Sequence, residues 1–153
     1  MRISEIMTEA AATDRPDDTL RQAAGKMRAQ QTGSLVVLDG EDLVGIVTER
    51  DVLNAVATDV PLDTPISDVM SKDLITVEPA TSLREAARIM TERWIRHLPV
   101  LDGGRLVGIV SQRDLAAVLA GALNEPDHLH RLIEASALPR ERRLKRIEAG
   151  DLD

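Results

Sequence analysis

A hydroxyl side chain is followed three residues later by a carboxylate at two places, Thr48-x-x-Asp51 and Ser111-x-x-Asp114. Each pair stands where a short β-branched run gives way to a helical pattern, so both pairs are predicted at the first turn of a helix. The helix dipole and free N–H groups favour phosphate there, and a carboxylate can accept hydrogen bonds from both hydroxyls of a ribose. The same spacing is also that of a capping box, which requires no ligand. Both interpretations stay open at this level.

Arginines and glycines accompany the two pairs. Arg50 and Arg113 directly precede the acids, where they can neutralise a phosphate or pair with acids on the surface. Gly45 and Gly108 lie inside the preceding apolar runs. Glycine in a strand indicates a bulge or the close approach of a backbone or ligand, and tight packing between two units is the alternative. The sequence therefore indicates two candidate binding sites of the same design.

These two sites belong to an internal repeat. A shift of 63 residues aligns Ile3–Leu53 with Ile66–Ala116 without a gap, and 22 of the 51 aligned pairs are identical. Two copies of this length suggest a paired domain, because a solenoid needs at least three units. We therefore expect a first unit over 1–60, a second unit over 61–123 and a helical or partly disordered C-terminal tail over 124–153.

Each unit contains the pattern of a helix, two strands and a second helix. Capping boxes begin the first helices, at Thr19-x-x-Gln22 and Ser82-x-x-Glu85, and the second helices are predicted over 49–57 and 112–122. The runs LVVLD, LVGIV, LPVLD and LVGIV predict two hairpins. The first helices carry the longer Gln or Glu at the third position whereas both second helices carry Asp, a contrast that favours a ligand role for the Asp. One unit is too small to bury its sheet, so the units are predicted to pack together.

With these tandem units the chain resembles a pair of CBS domains, the regulatory modules named after cystathionine beta-synthase. The likeness rests on ISEIM and ISDVM, SLREAA, RHLPVLD and the G-apolar-V-[TS]-x-R-D ending of each unit, and it covers roughly residues 2–122. It implies an α+β (mixed α/β) fold of two β-α-β-β-α units related by a pseudo-twofold axis. It also implies two clefts between the units that commonly bind adenosine-containing ligands, and a homodimer in which such pairs stack into flat discs.

The resemblance assigns the ribose to Asp51 and Asp114 and places the adenine against Ile75-Thr76-Val77 through backbone and aliphatic contacts. Arg96 and His97 could reach phosphates from the hairpin side, although His97 can equally be a partly buried histidine held by neighbouring backbone. The predicted ligand-binding residues are Thr48, Asp51, Thr76, Val77, Arg96, His97, Pro99, Ser111, Arg113 and Asp114.

The two clefts are expected to be unequal. The second unit supplies Thr76, Val77, Arg96 and His97, whereas the equivalent first-unit positions put an acid, Asp14, near the base edge and leave Gly33 in place of the arginine. We therefore expect the cleft that contains Asp114 to bind more tightly. Trp94 is expected to fill a gap between helix and sheet rather than to stack on a base.

Composition excludes several other functions. Phe, Tyr and Cys are absent and Trp94 is the single aromatic residue, which argues against base stacking on nucleic acid, disulfides and thiolate metal sites. The net charge of -7 disfavours polyanions, so nucleic acid is not an expected partner. The longest apolar run, Leu115–Leu123, is too short to span a bilayer, and the start of the chain lacks a secretory pattern, so a cytoplasmic location is predicted. His128-x-His130 lacks the spacing of a helical metal pair and a third ligand, so no metal is assigned.

The leading functional hypothesis is a nonenzymatic regulatory module. An adenosine-containing ligand such as AMP, ADP or ATP would bind between the repeats and signal to an associated protein by rearranging the pair or its dimer. The alternative is a structural dimerisation module with empty clefts. An enzyme is not expected, because no catalytic triad spacing, phosphate-binding GxxxxGK[ST] loop or metal cluster is present in the sequence. Dimerisation is expected through the apolar side chains of the last module helix, namely Leu115, Val118, Leu119 and Leu123.

Overall fold

A computed structural model describes residues 1–9 and 11–122 of the chain. The predicted tail, Leu123 and the pair His128-x-His130 lie outside the described residues. Four helices are present in the described part: α1 Leu20–Gln30, α2 Glu49–Ala57, α3 Leu83–Arg93 and α4 Gln112–Ala122. The strands are β1 Thr13–Asp14, β2 Ser34–Asp39, β3 Asp42–Thr48, β4 His97–Asp102 and β5 Arg105–Ser111. This mixed content confirms the predicted α+β fold.

The helices begin where the sequence places them, but their caps differ. At α1 both bonds of the predicted box form: the Gln22 N–H donates to Thr19 Oγ1 (3.2 Å) and the Thr19 N–H donates to Gln22 Oε1 (2.8 Å). At α3 the Glu85 N–H donates to Ser82 Oγ at 3.2 Å, while the Glu85 carboxylate pairs with Arg88 at 2.6 Å. The competing cation keeps one half of the predicted box at Ser82 from forming.

The sheets of the two repeats differ at their first strand. In the first repeat β1 runs parallel to β2, which pairs antiparallel with β3. In the second repeat β4 pairs antiparallel with β5, and the equivalent of β1 is reduced to one parallel bridge between Val77 and Val100. The Val36 N–H donates to the Ala12 carbonyl at 2.9 Å, whereas Pro99, in the position equivalent to Val36, has no N–H. The first strand of the β-α-β-β-α pattern is therefore shortened in the second unit.

The leading segment of each repeat, residues 3–8 in the first and 66–71 in the second, packs on the other repeat. Ile3 is fully buried in the core of the second repeat beside Leu98, and its N–H donates to the Thr81 carbonyl at 2.9 Å. Ile66 is fully buried in the core of the first repeat beside Leu20. This reciprocal exchange is the arrangement that a pseudo-twofold axis produces, and it interlocks the repeats. The boundary at residue 60 stays a prediction.

The strand glycines are explained by this exchange. A Cβ built on Gly108 would lie 2.9 Å from Met7 Sδ and 2.9 Å from the Thr8 carbonyl oxygen, and one built on Gly45 would collide with Met70 Sδ. Real Cβ atoms do not approach other atoms so closely. Of the interpretations left open by the sequence, tight packing between the repeats is the one that the structure supports at Gly45 and Gly108.

The described helices also bear on membrane insertion. Among residues 1–9 and 11–122, no helix combines the length and the apolar character that crossing a membrane would need.

Candidate functional site

Two clefts lie between the repeats, and their linings are related by the 63-residue shift. The first, here called the Asp51 cleft, takes Ile46, Thr48 and Asp51 from the end of β3 and the start of α2. Its other wall comes from the second repeat and includes Ser71, Ile75, Arg96, His97 and Pro99. It encloses about 180 Å³.

The second cleft, here called the Asp114 cleft, takes Ile109, Ser111 and Asp114 from the end of β5 and the start of α4. Its other wall comes from the first repeat and includes Thr8, Ala12, Gly33 and Ser34. It encloses about 520 Å³. The larger volume agrees with the smaller side chains, since Ala12 and Gly33 stand where the Asp51 cleft has Ile75 and Arg96.

The structure separates some of the residues that the sequence analysis grouped: Arg96 and His97 line the Asp114 cleft, but the 75–77 segment does not. We expected Asp114 to share a cleft with the 75–77 segment and Pro99, but Ile75 and Pro99 line the Asp51 cleft. The cause is the exchange of leading segments, which brings Ser71 beside Ile46 through two backbone hydrogen bonds of 2.9 and 3.1 Å. Each carboxylate therefore faces the opposite repeat.

The capping boxes that the sequence left as an alternative are present in both clefts. Thr48 donates to Asp51 Oδ2 from its N–H (2.7 Å) and from its hydroxyl (3.0 Å). Ser111 donates to Asp114 Oδ2 in the same way, with both distances 2.7 Å. These bonds use only the Oδ2 atom of each carboxylate, so the capping role leaves Oδ1 outside the box. Capping and ligand binding are thus compatible at both sites.

The walls opposite the carboxylates differ in their apolar surface and in their backbone. Val77 is buried in the core of the second repeat, so its side chain serves packing, and neither Val77 nor Thr76 lines the two clefts. Ile75 is the residue of this segment that lines the Asp51 cleft. Because Pro99 has no N–H, the hydrogen bond that the Ala12 carbonyl receives in the first repeat cannot form at the Ile75 carbonyl. That carbonyl is therefore available as an acceptor beside an aliphatic surface.

Arginines and acids are mixed along both clefts. Arg50 lines the Asp51 cleft, Arg113 lines the Asp114 cleft, and Arg96 lines both. All three are exposed. The sequence analysis missed the acids that accompany them, Asp73 in the Asp51 cleft and Glu49 in the Asp114 cleft. Asp73 follows directly on the exchanged segment, so only knowledge of that exchange would have identified it.

His97 lies between the two clefts and lines both. Burial, reinforced by the neighbouring Arg96, lowers the pKa of the His97 imidazole below its ordinary value, while Glu49 and Asp114 act in the opposite direction. The neutral imidazole is therefore favoured in the folded protein. This fits the partly buried histidine of the sequence analysis.

Asp14 does not stand near a base edge as the sequence suggested. Its carboxylate turns to α1, where Oδ1 accepts a hydrogen bond from Lys26 Nζ at 2.6 Å. Burial and the neighbouring Asp18 carboxyl raise the pKa of Asp14, against the opposing effect of Lys26. Asp14 is thus absent from the lining of the Asp114 cleft. Its negative charge therefore does not weaken ligand binding there in the way that the sequence analysis expected.

Trp94 lines the Asp51 cleft at the end of α3. It is half-buried and adopts a left-handed backbone with φ of 57°, the same conformation as the equivalent Gln31. This backbone ends the helix and turns the chain toward Arg96 and His97.

The described residues contain no group of three or more His, Cys, Asp or Glu side chains placed to hold a metal ion.

Comparison with known proteins identifies a family with this architecture. The family model described as CBS domain matches the chain twice, at residues 3–58 and 66–121. CBS domain-containing protein YhcV of Bacillus subtilis is 37% identical over 115 residues, which cover 74% of this chain and 82% of that protein.

Two solved structures add to the likeness. A protein with CBS domains from Burkholderia ambifaria MC40-6 is 35% identical, with a TM-score of 0.75 over 78% of this chain and 95% of its own. The CBS domain pair of protein MJ0100, crystallised with 5'-methylthioadenosine and S-adenosyl-L-methionine, is 25% identical, with a TM-score of 0.75 over 80% of this chain and 98% of its own.

Proposed function

This chain belongs to the CBS domain family, and we propose that it is a nonenzymatic regulatory module that binds an adenosine-containing ligand between its two repeats. The observation that carries the proposal is the Oδ1 atom of Asp51 and of Asp114, which accepts no hydrogen bond from the described residues and lies at a helix N-terminus in a cleft walled by the other repeat. The complex of the MJ0100 domain pair with two adenosine compounds supports the ligand class.

In the Asp51 cleft, different lining residues would bind the three parts of an adenosine ligand. The ribose hydroxyls would donate to Asp51 Oδ1, and the adenine would lie on Ile75 and donate its amino group to the Ile75 carbonyl. Phosphates would be held by Arg50 and Arg96, which favours AMP, ADP or ATP over an uncharged nucleoside. The Asp114 cleft offers the same ribose acceptor but a smaller aliphatic wall.

The Asp51 cleft is therefore the tighter of the two in this proposal, which reverses the expectation from the sequence. Its aliphatic wall and its free carbonyl both come from the 75–99 region that the sequence analysis had assigned to Asp114. Pro99 removes the competing N–H, so the Ile75 carbonyl keeps its accepting capacity for the ligand. The equivalent Ala12 carbonyl in the Asp114 cleft is already bonded to the Val36 N–H.

The proposed signal depends on which repeat supplies each wall of the cleft. Ligand pockets usually exceed about 300 Å³, so we expect the Asp51 cleft, at about 180 Å³, to widen when an adenosine compound enters. Because its two walls belong to different repeats, widening changes the arrangement of the repeats. A ligand that binds the widened state better shifts the population toward it, and an associated protein can respond to that shift.

The proposed module acts as a homodimer. The structure changes the predicted surface, since Leu115 is only 9% exposed and belongs to the core of the second repeat. Leu53 and Val56 on α2 and Leu119 on α4 are 66%, 58% and 46% exposed. We assign these three side chains to the contact with a second copy. Light scattering should give a dimer mass at tens of micromolar for the full chain, and Leu53→Glu should shift it to a monomer; a monomeric mass for the unaltered chain contradicts this part.

The test of the function is a thermal-shift screen of the full chain against AMP, ADP, ATP, S-adenosylmethionine, NAD and cyclic dinucleotides. A ligand at a hundred times its dissociation constant stabilises a native state that binds it alone by about 2.7 kcal/mol, which is a measurable rise in melting temperature. The Asp51→Asn/Asp114→Asn variant is the control, because each amide oxygen can still cap its helix while the second ribose acceptor is lost. A shift that persists in this variant places the ligand elsewhere.

A structural dimerisation module with empty clefts is the second candidate. The small volume of the Asp51 cleft favours it. This candidate replaces the first if no adenosine compound at millimolar concentration moves the melting temperature.

A further inference from the structure

The two clefts share one cation. Arg96 lines both of them, and the residue equivalent to it in the first repeat is Gly33, which carries no side chain. The pseudo-twofold arrangement would otherwise supply one arginine from this position to each cleft. The two clefts therefore have one arginine from this position between them, Arg96, instead of two.

The surroundings of Gly33 offer no substitute for the absent arginine. A Cβ built on Gly33 would lie 3.2 Å from Glu49 Oε2, so an acid stands against this position. His97, beside Arg96, is held neutral by burial and by the arginine. Arg96 itself is exposed on a long flexible side chain. It can therefore turn to either cleft, but its charge and its hydrogen-bond donors serve one phosphate at a time.

We propose that Arg96 is a shared phosphate-binding residue and that anionic adenosine ligands in the two clefts compete for it. This inference rests on the proposed function, since it takes both clefts to bind adenosine compounds. A ligand held in one cleft by Arg96 leaves the other cleft with only its own arginine, Arg50 or Arg113, so the second anionic ligand binds more weakly. A neutral ligand makes no use of Arg96, and its two binding events are independent. The charge of the ligand thus decides whether the clefts are coupled.

The size of the effect follows from one hydrogen-bonded ion contact. Such a contact contributes on the order of tenfold to a hundredfold in affinity, and the exposure of Arg96 places it near the lower figure. Coupling is reciprocal, so each anionic ligand weakens the other by the same factor, about tenfold. This factor is accessible to calorimetric titration.

The experiment titrates the full chain with AMP, a phosphate ester, and with adenosine, its neutral counterpart. Asp51→Asn and Asp114→Asn each leave one cleft intact and give its dissociation constant with the other cleft disabled. For AMP, the product of the two constants in the unaltered chain should exceed the product of the single-cleft constants by about tenfold. For adenosine, the two products should agree within about twofold. The comparison of products does not depend on which cleft fills first.

Two substitutions separate the shared cation from simple repulsion between phosphates. Arg96→Gln should weaken AMP in each single-cleft variant and abolish the antagonism, and Arg96→Lys should retain most of it. Gly33→Arg should reduce the antagonism by supplying the second cation. The Glu49 carboxylate is the flexible end of a side chain and can move, and Gly33 does not adopt a left-handed backbone, so the substitution is sterically feasible. Gly33→Gln is the matched neutral control and should leave the antagonism unchanged.

The outcomes are distinct. The shared-cation inference is overturned if, for AMP as for adenosine, the product of constants in the unaltered chain equals the product of the single-cleft constants. That outcome leaves the proposed function standing. Antagonism that persists in Arg96→Gln also overturns it, because phosphates repelling one another would then be the cause. Absence of binding by both probes overturns this inference, and the proposed function falls with it if the thermal-shift screen also finds no adenosine compound that binds.

Discussion

Replacing the buried ion pair of the first repeat by the apolar pair of the second should stabilise the protein. Asp14 and Lys26 are joined at 2.6 Å, and their equivalents in the second repeat are Val77 and Ile89, which pack in its core. The Asp14 side chain is 1% exposed, and its Oδ2 atom has no hydrogen-bond donor among the described residues. The chain thus contains an apolar solution to the same packing position.

The magnitude can be bounded from this geometry. Exchanging a buried ion pair for packed apolar side chains is often neutral or stabilising by about 1 to 4 kcal/mol, and removing one partner costs about 3 to 5 kcal/mol. The Lys26 side chain is 35% exposed, and solvent screening places both effects at or below the lower end of these ranges. Asp14→Val/Lys26→Ile should therefore raise the free energy of unfolding by about 1 kcal/mol. Lys26→Ile alone should lower it by about 2 to 3 kcal/mol, because Asp14 is left buried without its cation.

Urea denaturation of the full chain at neutral pH measures both changes. Asp17→Val is the matched control, because the Asp17 side chain is 79% exposed and should change the unfolding free energy by less than about 0.5 kcal/mol. The reasoning fails if the double variant is less stable than the unaltered chain by more than about 1 kcal/mol, or if Lys26→Ile alone is harmless. The first outcome would show that the ion pair stabilises the fold more than its desolvation opposes it, and the second that losing Lys26 leaves no uncompensated buried charge at Asp14.

Three further predictions concern the site and its scaffold. Asp51→Asn should weaken the tighter phase of AMP binding by roughly tenfold to a hundredfold while Asp114→Asn changes it little, and calorimetry showing the reverse order would restore the sequence-based assignment. The pKa of His97 is lowered in the folded protein, so His97 gains a proton at a higher pH in the unfolded chain than in the folded one. The stability due to neutral His97 is therefore complete above about pH 6.5 and is lost as the pH falls below it. Urea titrations at stepped pH should show this loss, and His97→Gln should flatten it; an equal slope in both proteins assigns the loss to other groups. Gly45→Ala should destabilise the fold by about 1 to 3 kcal/mol because the added methyl group collides with Met70. Gly25→Ala has open space around it in α1 and should stabilise the fold by up to about 1 kcal/mol. Equal melting temperatures for the two variants would contradict the packing of Gly45 against Met70.

Local patterns in the sequence predicted the local structure well. The second helices, expected over 49–57 and 112–122, are α2 Glu49–Ala57 and α4 Gln112–Ala122. Their starts are fixed by the hydroxyl–carboxylate spacing and by the end of a β-branched run, which are both properties of a few consecutive residues. The shortened first strand of the second repeat could have been predicted in the same way. Pro99 is visible in the sequence, and its missing N–H removes a ladder bond wherever it pairs.

The composition of each cleft could not be predicted from consecutive residues. Which wall faces Asp51 depends on the exchange of Ile3 and Ile66 between the cores, and one unit alone carries no signal for it. The repeat offered an indirect sign in the paired glycines and methionines, since Gly45 and Met70 recur as Gly108 and Met7. Interpreting that sign requires knowing that each glycine contacts the methionine of the opposite leading segment.

The exchange also explains how a duplicated unit acquires two different sites. The hydroxyl and carboxylate of each cleft are nearly invariant between the repeats, because each box also caps its helix and a change would expose helix N–H groups. The opposite walls carry no such capping duty, and there Ile75 and Arg96 replace Ala12 and Gly33. In the proposed function, differences in affinity and charge between the clefts therefore arise in the wall, while Asp51 and Asp114 stay constant. Since that wall belongs to the other repeat, a substitution that tunes one cleft also alters the contact between the repeats.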